Sequence, residues 1–235
     1  IVTYDGDPNQ AYVPQNISHN LGSVPGAMII KVYSEHGVDW VVYHKELGAT
    51  QYLMLNHPDK AYTSTNMFND TEPTDSEFTV GAFSAGTNNN GRSYVNYLFA
   101  DTPGLIKCGQ YTAAGSDTFI NLGFKPAWVM IKRVDQSQGW LVADDKRPGA
   151  DGWNAFLSPD SVATEDATNK WILFTPNGFN VSQGADIAGS DYIYVAIAEN
   201  PEADITTQST ASGTVSASTG NTVTLSDVSG TWTTG

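Results

Sequence analysis

The chain nearly repeats itself, and this limits its fold more than any other feature. Asn20-Leu21-Gly22-Ser23-Val24-Pro25-Gly26-Ala27-Met28-Ile29-Ile30-Lys31 lies without a gap over Asn121-Leu122-Gly123-Phe124-Lys125-Pro126-Ala127-Trp128-Val129-Met130-Ile131-Lys132. In the same order, Trp40-Val41-Val42 matches Trp140-Leu141-Val142, Phe78-Thr79-Val80 matches Phe179-Asn180-Val181, and Tyr94 to Ala100 matches Tyr192 to Ala198. Conserved order and spacing predict a unit of roughly 95 residues present twice, over 1–103 and 104–201, burying matching apolar faces in both copies.

The repeated stretches alternate apolar and polar residues with period two, and they are rich in β-branched and aromatic types. Residues 27–33, 40–44, 94–99, 128–133, 140–143 and 192–197 therefore read as strands. Val95, Tyr97 and Phe99 match Ile193, Val195 and Ile197, so one face of that strand is apolar in both copies. Asn88-Asn89-Asn90-Gly91, Asp151-Gly152 and Pro176-Asn177-Gly178 read as turns in which Gly and Asn supply positive φ. One short helix is expected at Pro159–Thr168, with Ser158 as N-cap.

Many short strands with frequent turns and no long helices predict an all-β chain: two tandem, similar antiparallel β-sandwich (jelly-roll-like) units. Two side-by-side sandwiches and one shared core both satisfy this pattern. From Ile205 to Gly235, 20 of 31 residues are Thr, Ser or Gly, and no Lys or Arg follows Lys170. Alternation in Gly213–Ala217 and Thr222–Ser226, around Ser218-Thr219-Gly220-Asn221, predicts a Ser/Thr/Gly-rich β-hairpin in 202–235, or the start of a further module. Starting at Ile1 and stopping inside this pattern, the chain reads as a piece of a longer polypeptide.

Composition narrows the partners. Twenty-six aromatic residues and a 40% hydrophobic fraction supply enough apolar surface for a sizeable core. Eleven Lys and Arg against 25 Asp and Glu leave a formal charge of −14, which repels a phosphate backbone and argues against nucleic acid. The single Cys108 cannot form an internal disulfide. No stretch approaches the roughly 20 apolar residues of a spanning helix, so membrane insertion is not expected.

Chemistry is sparse. Ala82-Phe83-Ser84-Ala85-Gly86 lacks the first Gly of a nucleophile elbow and runs into a loop. His44, Glu46, His57 and Asp59 match no zinc spacing and have no histidine counterpart in the second copy, so they read as surface loop residues. Asp144, Asp145 and Asp151 lack the spacing of a calcium loop and read as an exposed acidic turn. No catalytic, cofactor-binding or metal-ligating residue is expected, and no cofactor. Trp40 and Trp140 occupy matching strand positions and read as core. Trp153 and Trp171 have no aromatic counterpart, which makes them the candidates for a glycan or partner contact.

Taken with Leu47-Gly48 and Gln51-Tyr52-Leu53-Met54-Leu55-Asn56, the first-copy motifs resemble a duplicated domain of tailed-phage fibre and appendage proteins. Gly109-Gln110-Tyr111-Thr112, Asn177-Gly178-Phe179 and Tyr192 through Pro201 resemble its second half, and the likeness covers residues 2–201. Gly213-Thr214-Val215, Leu225-Ser226 and Gly230-Thr231-Trp232 are similar to a small β-repeat that often follows in such proteins. Gly26-Ala27 departs from the pattern, which more often has an acidic or bulkier residue there. The resemblance implies a non-enzymatic virion structural protein of a tail fibre or surface appendage. Its implied partners are further copies of itself, other virion proteins and, at the host, a surface glycan. A carbohydrate-binding adhesin module is the alternative reading, and a polysaccharide depolymerase acting through paired carboxylates is a more remote one.

Overall fold

In a computed structural model, residues 1–7, 13–81 and 86–200 are described, together with the backbone of 212–219 and 222–229. The alternating segments are strands. In the first half they are β1 (Val2–Asp5), β2 (Gln15–Ser18), β3 (Pro25–Val32), β4 (Trp40–His44), β5 (Gln51–Met54), β6 (Tyr62–Thr63), β7 (Glu77–Val80) and β8 (Ser93–Ala100). The second half contributes β9 (Ile106–Thr112), β10 (Thr118–Asn121), β11 (Pro126–Arg133), β12 (Leu141–Pro148), β13 (Asn154–Leu157), β14 (Ile172–Thr175), β15 (Gly178–Val181) and β16 (Asp191–Ala198).

The fold is all-β and sandwich-like, with large antiparallel sheets. The first half forms a six-stranded sheet in the order β1-β8-β3-β4-β5-β6, with β2 and β7 paired separately. The second half forms one eight-stranded sheet, β9-β16-β11-β12-β13-β14-β15-β10, which comes close to a barrel. Strand neighbours correspond, and so do registers: Ile29 faces Tyr97 as Met130 faces Val195, and Ile17 faces Phe78 as Ile120 faces Phe179. Tyr4 stacks on Tyr94 at 4.9 Å, and Tyr111 stacks on Tyr192 at 5.1 Å. The halves differ at one joint. β6 has two residues and pairs with β5, whereas β14 has four and pairs in register with β15, which draws the second sheet round.

Period-two alternation sends the side chains of β3, β4, β8, β11, β12 and β16 into two different cores. Met28, Ile30, Val32, Val41, Tyr43, Phe78, Val80 and Tyr94 pack inside the first half. Val129, Ile131, Leu141, Ala143, Phe179, Val181 and Tyr192 pack inside the second. The opposite faces meet: Ala27, Ile29, Val42 and Leu53 from the first sheet close on Cys108, Met130, Trp140, Ile193 and Val195 from the second. Tyr97 and Phe99 pack there too, so the apolar face seen in the sequence serves the seam between the halves. Val95 and Ile197 are half-buried. Fully burying a Val, Leu, Ile or Met is worth roughly 1.5–3 kcal/mol, so this third core binds the halves firmly. Residues 1–200 form one compact unit.

Local chemistry explains the departures from expectation. Residues 159–168 are not helical, and a single 3₁₀ turn at Ala150–Gly152 is the one helical element among the described residues. Phe156 and Asp166 exchange both backbone hydrogen bonds (3.0 and 2.9 Å), and the Asp166 carboxylate takes the N–H groups of Thr168 and Asn169. These bonds commit that backbone to an extended bridge and an Asx turn, so it cannot close helical turns. Gly91 and Gly152 have positive φ (74° and 84°) as expected, but Gly178 does not. Its glycine is needed for contact, because a Cβ there would stand 2.0 Å from the Ile120 carbonyl oxygen. Gly26 is explained the same way: a Cβ would lie 2.9 Å from Cys108 Cβ and 3.0 Å from its sulfur. In the C-terminal unit, residues 201–235, β17 (Ser212–Thr219) and β18 (Thr222–Ser229) pair antiparallel. Gly220-Asn221 and Gly230-Thr231-Trp232 lie outside the described residues.

Candidate functional site

Two buried polar side chains, Lys132 and His44, sit where the two sheets face each other. On β11, alternation sends Val129 and Ile131 into the second half's own core and Met130 and Lys132 toward the seam. Lys132 is fully buried, and its Nζ donates to the carbonyls of Pro58 (3.0 Å), Arg133 (3.0 Å) and Gln138 (2.6 Å). Three acceptors match the three N–H bonds of an ammonium. The Trp140 ring lies 6.0 Å away, and burial brings the amine down to about 8. The Pro58 carbonyl, from the first half, also accepts the Gln138 N–H (2.8 Å), and Trp140 Nε1 donates to the Met54 carbonyl (3.0 Å).

His44 closes the seam elsewhere. Its Nδ1 accepts the Glu46 N–H (3.3 Å), which leaves the proton on Nε2 to donate to the Tyr194 carbonyl (3.1 Å). Burial pushes its pKa down to about 4, so the ring is neutral. This corrects the surface-loop reading for His44: the ring ends β4 on the seam side and is 1% exposed. His57 and Asp59 do sit near the surface, where His57 Nε2 meets Asp39 Oδ1 at 2.9 Å and Tyr62 donates to Asp59 Oδ2 at 2.5 Å.

A second buried group lies in the second half. Asp186 is 7% exposed, and its Oδ1 accepts the Tyr111 hydroxyl (3.0 Å). Its Oδ2 has no hydrogen-bond partner among the described residues. Burial raises the acid to about 6, against the pull of Tyr111 and Thr118 toward the carboxylate; the Thr118 hydroxyl itself donates to Ser116 O at 3.3 Å. The corresponding residue of the first half is Asn88, since the next backbone N–H, of Asn89 or Ile187, donates to Tyr94 or Tyr192 Oη in each half. Asn88 is saturated: Oδ1 accepts Asp7 N–H, and Nδ2 donates to Gly81 and Val13 carbonyls.

The remaining candidates are dispersed. Asp144 is tied to Arg147, Asp145 to Lys146 (2.9 Å), and Asp151 to Lys170. Trp140 is buried and Trp40 half-buried at the seam. Trp171 is half-buried, stacked on Phe156 at 4.6 Å, and Trp153 is half-buried after the 3₁₀ turn. Ser84 lies outside the described residues. Among the described residues no group of three His, Cys, Asp or Glu is placed to hold a metal. Burial drives the Cys108 thiol up to about 12, which keeps it protonated and a poor nucleophile. A cleft of about 300 Å³ beside it is lined by Lys45, Asp101, Ile106, Lys107, Leu122 and Phe124. Sequence reasoning missed Lys132 and Asp186. The repeat signalled the first, because Lys31 and Lys132 align, but nothing in the alignment flagged that one of them is sealed.

Residues 1–201 match a family described as a domain of unknown function, DUF7483. The chain belongs to it. The matched span takes in both sheets and the seam and stops where the Ser/Thr-rich segment begins. No curated protein and no solved structure matches the chain.

Proposed function

We propose that this DUF7483 chain is a non-enzymatic structural protein of a phage tail fibre or surface appendage. In this reading it is built from two tandem copies of one sandwich unit, followed by a Ser/Thr-rich hairpin segment. The observation that carries it is where the reactive side chains are spent. Lys132, His44 and Trp140 are sealed between the sheets, each hydrogen-bonded to a backbone carbonyl of the opposite half or its loop. Such groups stiffen a junction and are out of a substrate's reach. The sequence resemblance to fibre and appendage domains supplies the biological setting. Immuno-electron microscopy of purified particles with an antibody to this chain should decorate an appendage; unlabelled particles would refute the assignment.

The second reading is a carbohydrate-binding module, favoured by Trp153, which keeps partial exposure with no ring stacked on it among the described residues. Binding on a glycan array that is lost in Trp153→Ala would support it, and a silent array would count against it.

A further inference from the structure

The loop after β5 crosses the seam. Asn56 Oδ1 accepts the Trp40 N–H at 3.0 Å, and two residues on, the Pro58 carbonyl receives Lys132 Nζ and the Gln138 N–H. The second half starts a loop in the same way, with Asp160 Oδ1 accepting the Trp140 N–H at 3.0 Å. Two residues on stands Val162, wholly exposed. Among the described residues no hydrogen bond reaches its carbonyl.

The seat that such a loop fills also occurs twice. Lys132 against Trp140 has three carbonyl acceptors and no exposure. Lys31 against Trp40, with Nζ 5.4 Å from the ring, has one acceptor among the described residues, the Val38 carbonyl, and is half-buried. One half therefore presents a loop tip without a seat, and the other a seat without a loop. The matching pair shows how the two fit.

We propose that the Ser158–Glu165 loop of one copy docks on the Lys31–Trp40 seat of a second copy, its Val162 carbonyl taking the role that Pro58 plays on Lys132. Asp160, whose Oδ1 takes the Trp140 N–H, and Glu165, 3.5 Å from Arg147 in its own chain, give the loop the charge opposite to the ammonium. This rests on the reading that the chain assembles with itself and names the surface it uses. A loop-to-seat contact joins different patches, so repetition gives a ring or an open chain, unless two copies exchange loops reciprocally.

Equal amounts of light- and heavy-nitrogen-labelled protein are mixed and coupled with a zero-length carbodiimide. Peptides joining Lys31 to Asp160 or Glu165 should include pairs with one light and one heavy partner. In sedimentation velocity, Val162→Glu and Lys31→Met should each weaken self-association roughly tenfold, with the Val162→Glu melting temperature unchanged. Same-label peptides alone would place the loop on its own chain and overturn the proposal. Association indifferent to both substitutions would overturn this contact and leave self-assembly standing. A monomer at every concentration would remove both.

Discussion

Asp186 and His44 are buried ionisable groups whose folded pKa values move in opposite senses. Asp186 rises to about 6 from an unfolded value of about 3.9, so its protonated form fits the fold better. Its contribution is complete below the unfolded value and is lost as pH rises through 6. Asp186→Asn copies the solution used at Asn88 and should raise Tm at pH 7.5 by about 4 °C, an advantage that shrinks as pH falls from 6 to 4. His44 falls to about 4, so its contribution is complete above about 6.5 and is lost as pH falls through 4. His44→Gln, which stays neutral, should gain on the wild type over that same descent. Denaturation midpoints between pH 4 and 7 check both, and curves parallel to wild type would sink the assignments. The sequence singled out His44 only as a surface loop residue and did not flag Asp186. His44 has no histidine counterpart, and Asn88 pairs with Asp186 only through the tyrosine hydroxyls that their neighbours reach.

Strands were legible because alternation and repetition carried the same message: β3, β4, β8, β11, β12 and β16 each fall on a segment with a period-two apolar face. Shorter elements were not. β6 and β13 lack a long apolar run, and the turn-rich 158–170 stretch imitates a helix start through Ser158 and Pro159. Its fate is settled by the Phe156–Asp166 bridge, a pairing that propensity cannot see. Gly178, read as a positive-φ turn residue, instead opens β15, where the close approach to Ile120 demands glycine. Gly178→Ala should force β10 away from β15 and cost about 1–3 kcal/mol, read by urea denaturation, with faster amide exchange in Thr118–Asn121. A neutral substitution would mean that the close approach to Ile120 relaxes freely.

At the scale of the whole molecule, the sequence left open whether the halves fold side by side or share a core, because alternation shows that both strand faces are apolar without saying what each face meets. The shared seam predicts that residues 1–200 unfold in one transition by calorimetry, with van't Hoff and calorimetric enthalpies in agreement. Lys132→Met removes three hydrogen bonds from a sealed site, the Pro58 carbonyl keeping only the Gln138 N–H, and should cost about 3 kcal/mol, against about 1 kcal/mol for Lys31→Met, which removes one. Equal losses would mean that the seal around Lys132 carries no weight. The short β6 has a consequence of its own. Because it spans two residues where β14 spans four, the first half's wall is open between β6 and the β2-β7 pair, while in the second half β14 bridges the corresponding gap by pairing with β15. Under a mechanical load the first half is the compliant member and the second the rigid one, so a pull on residues 1–200 should part the β6 gap before the seam is strained.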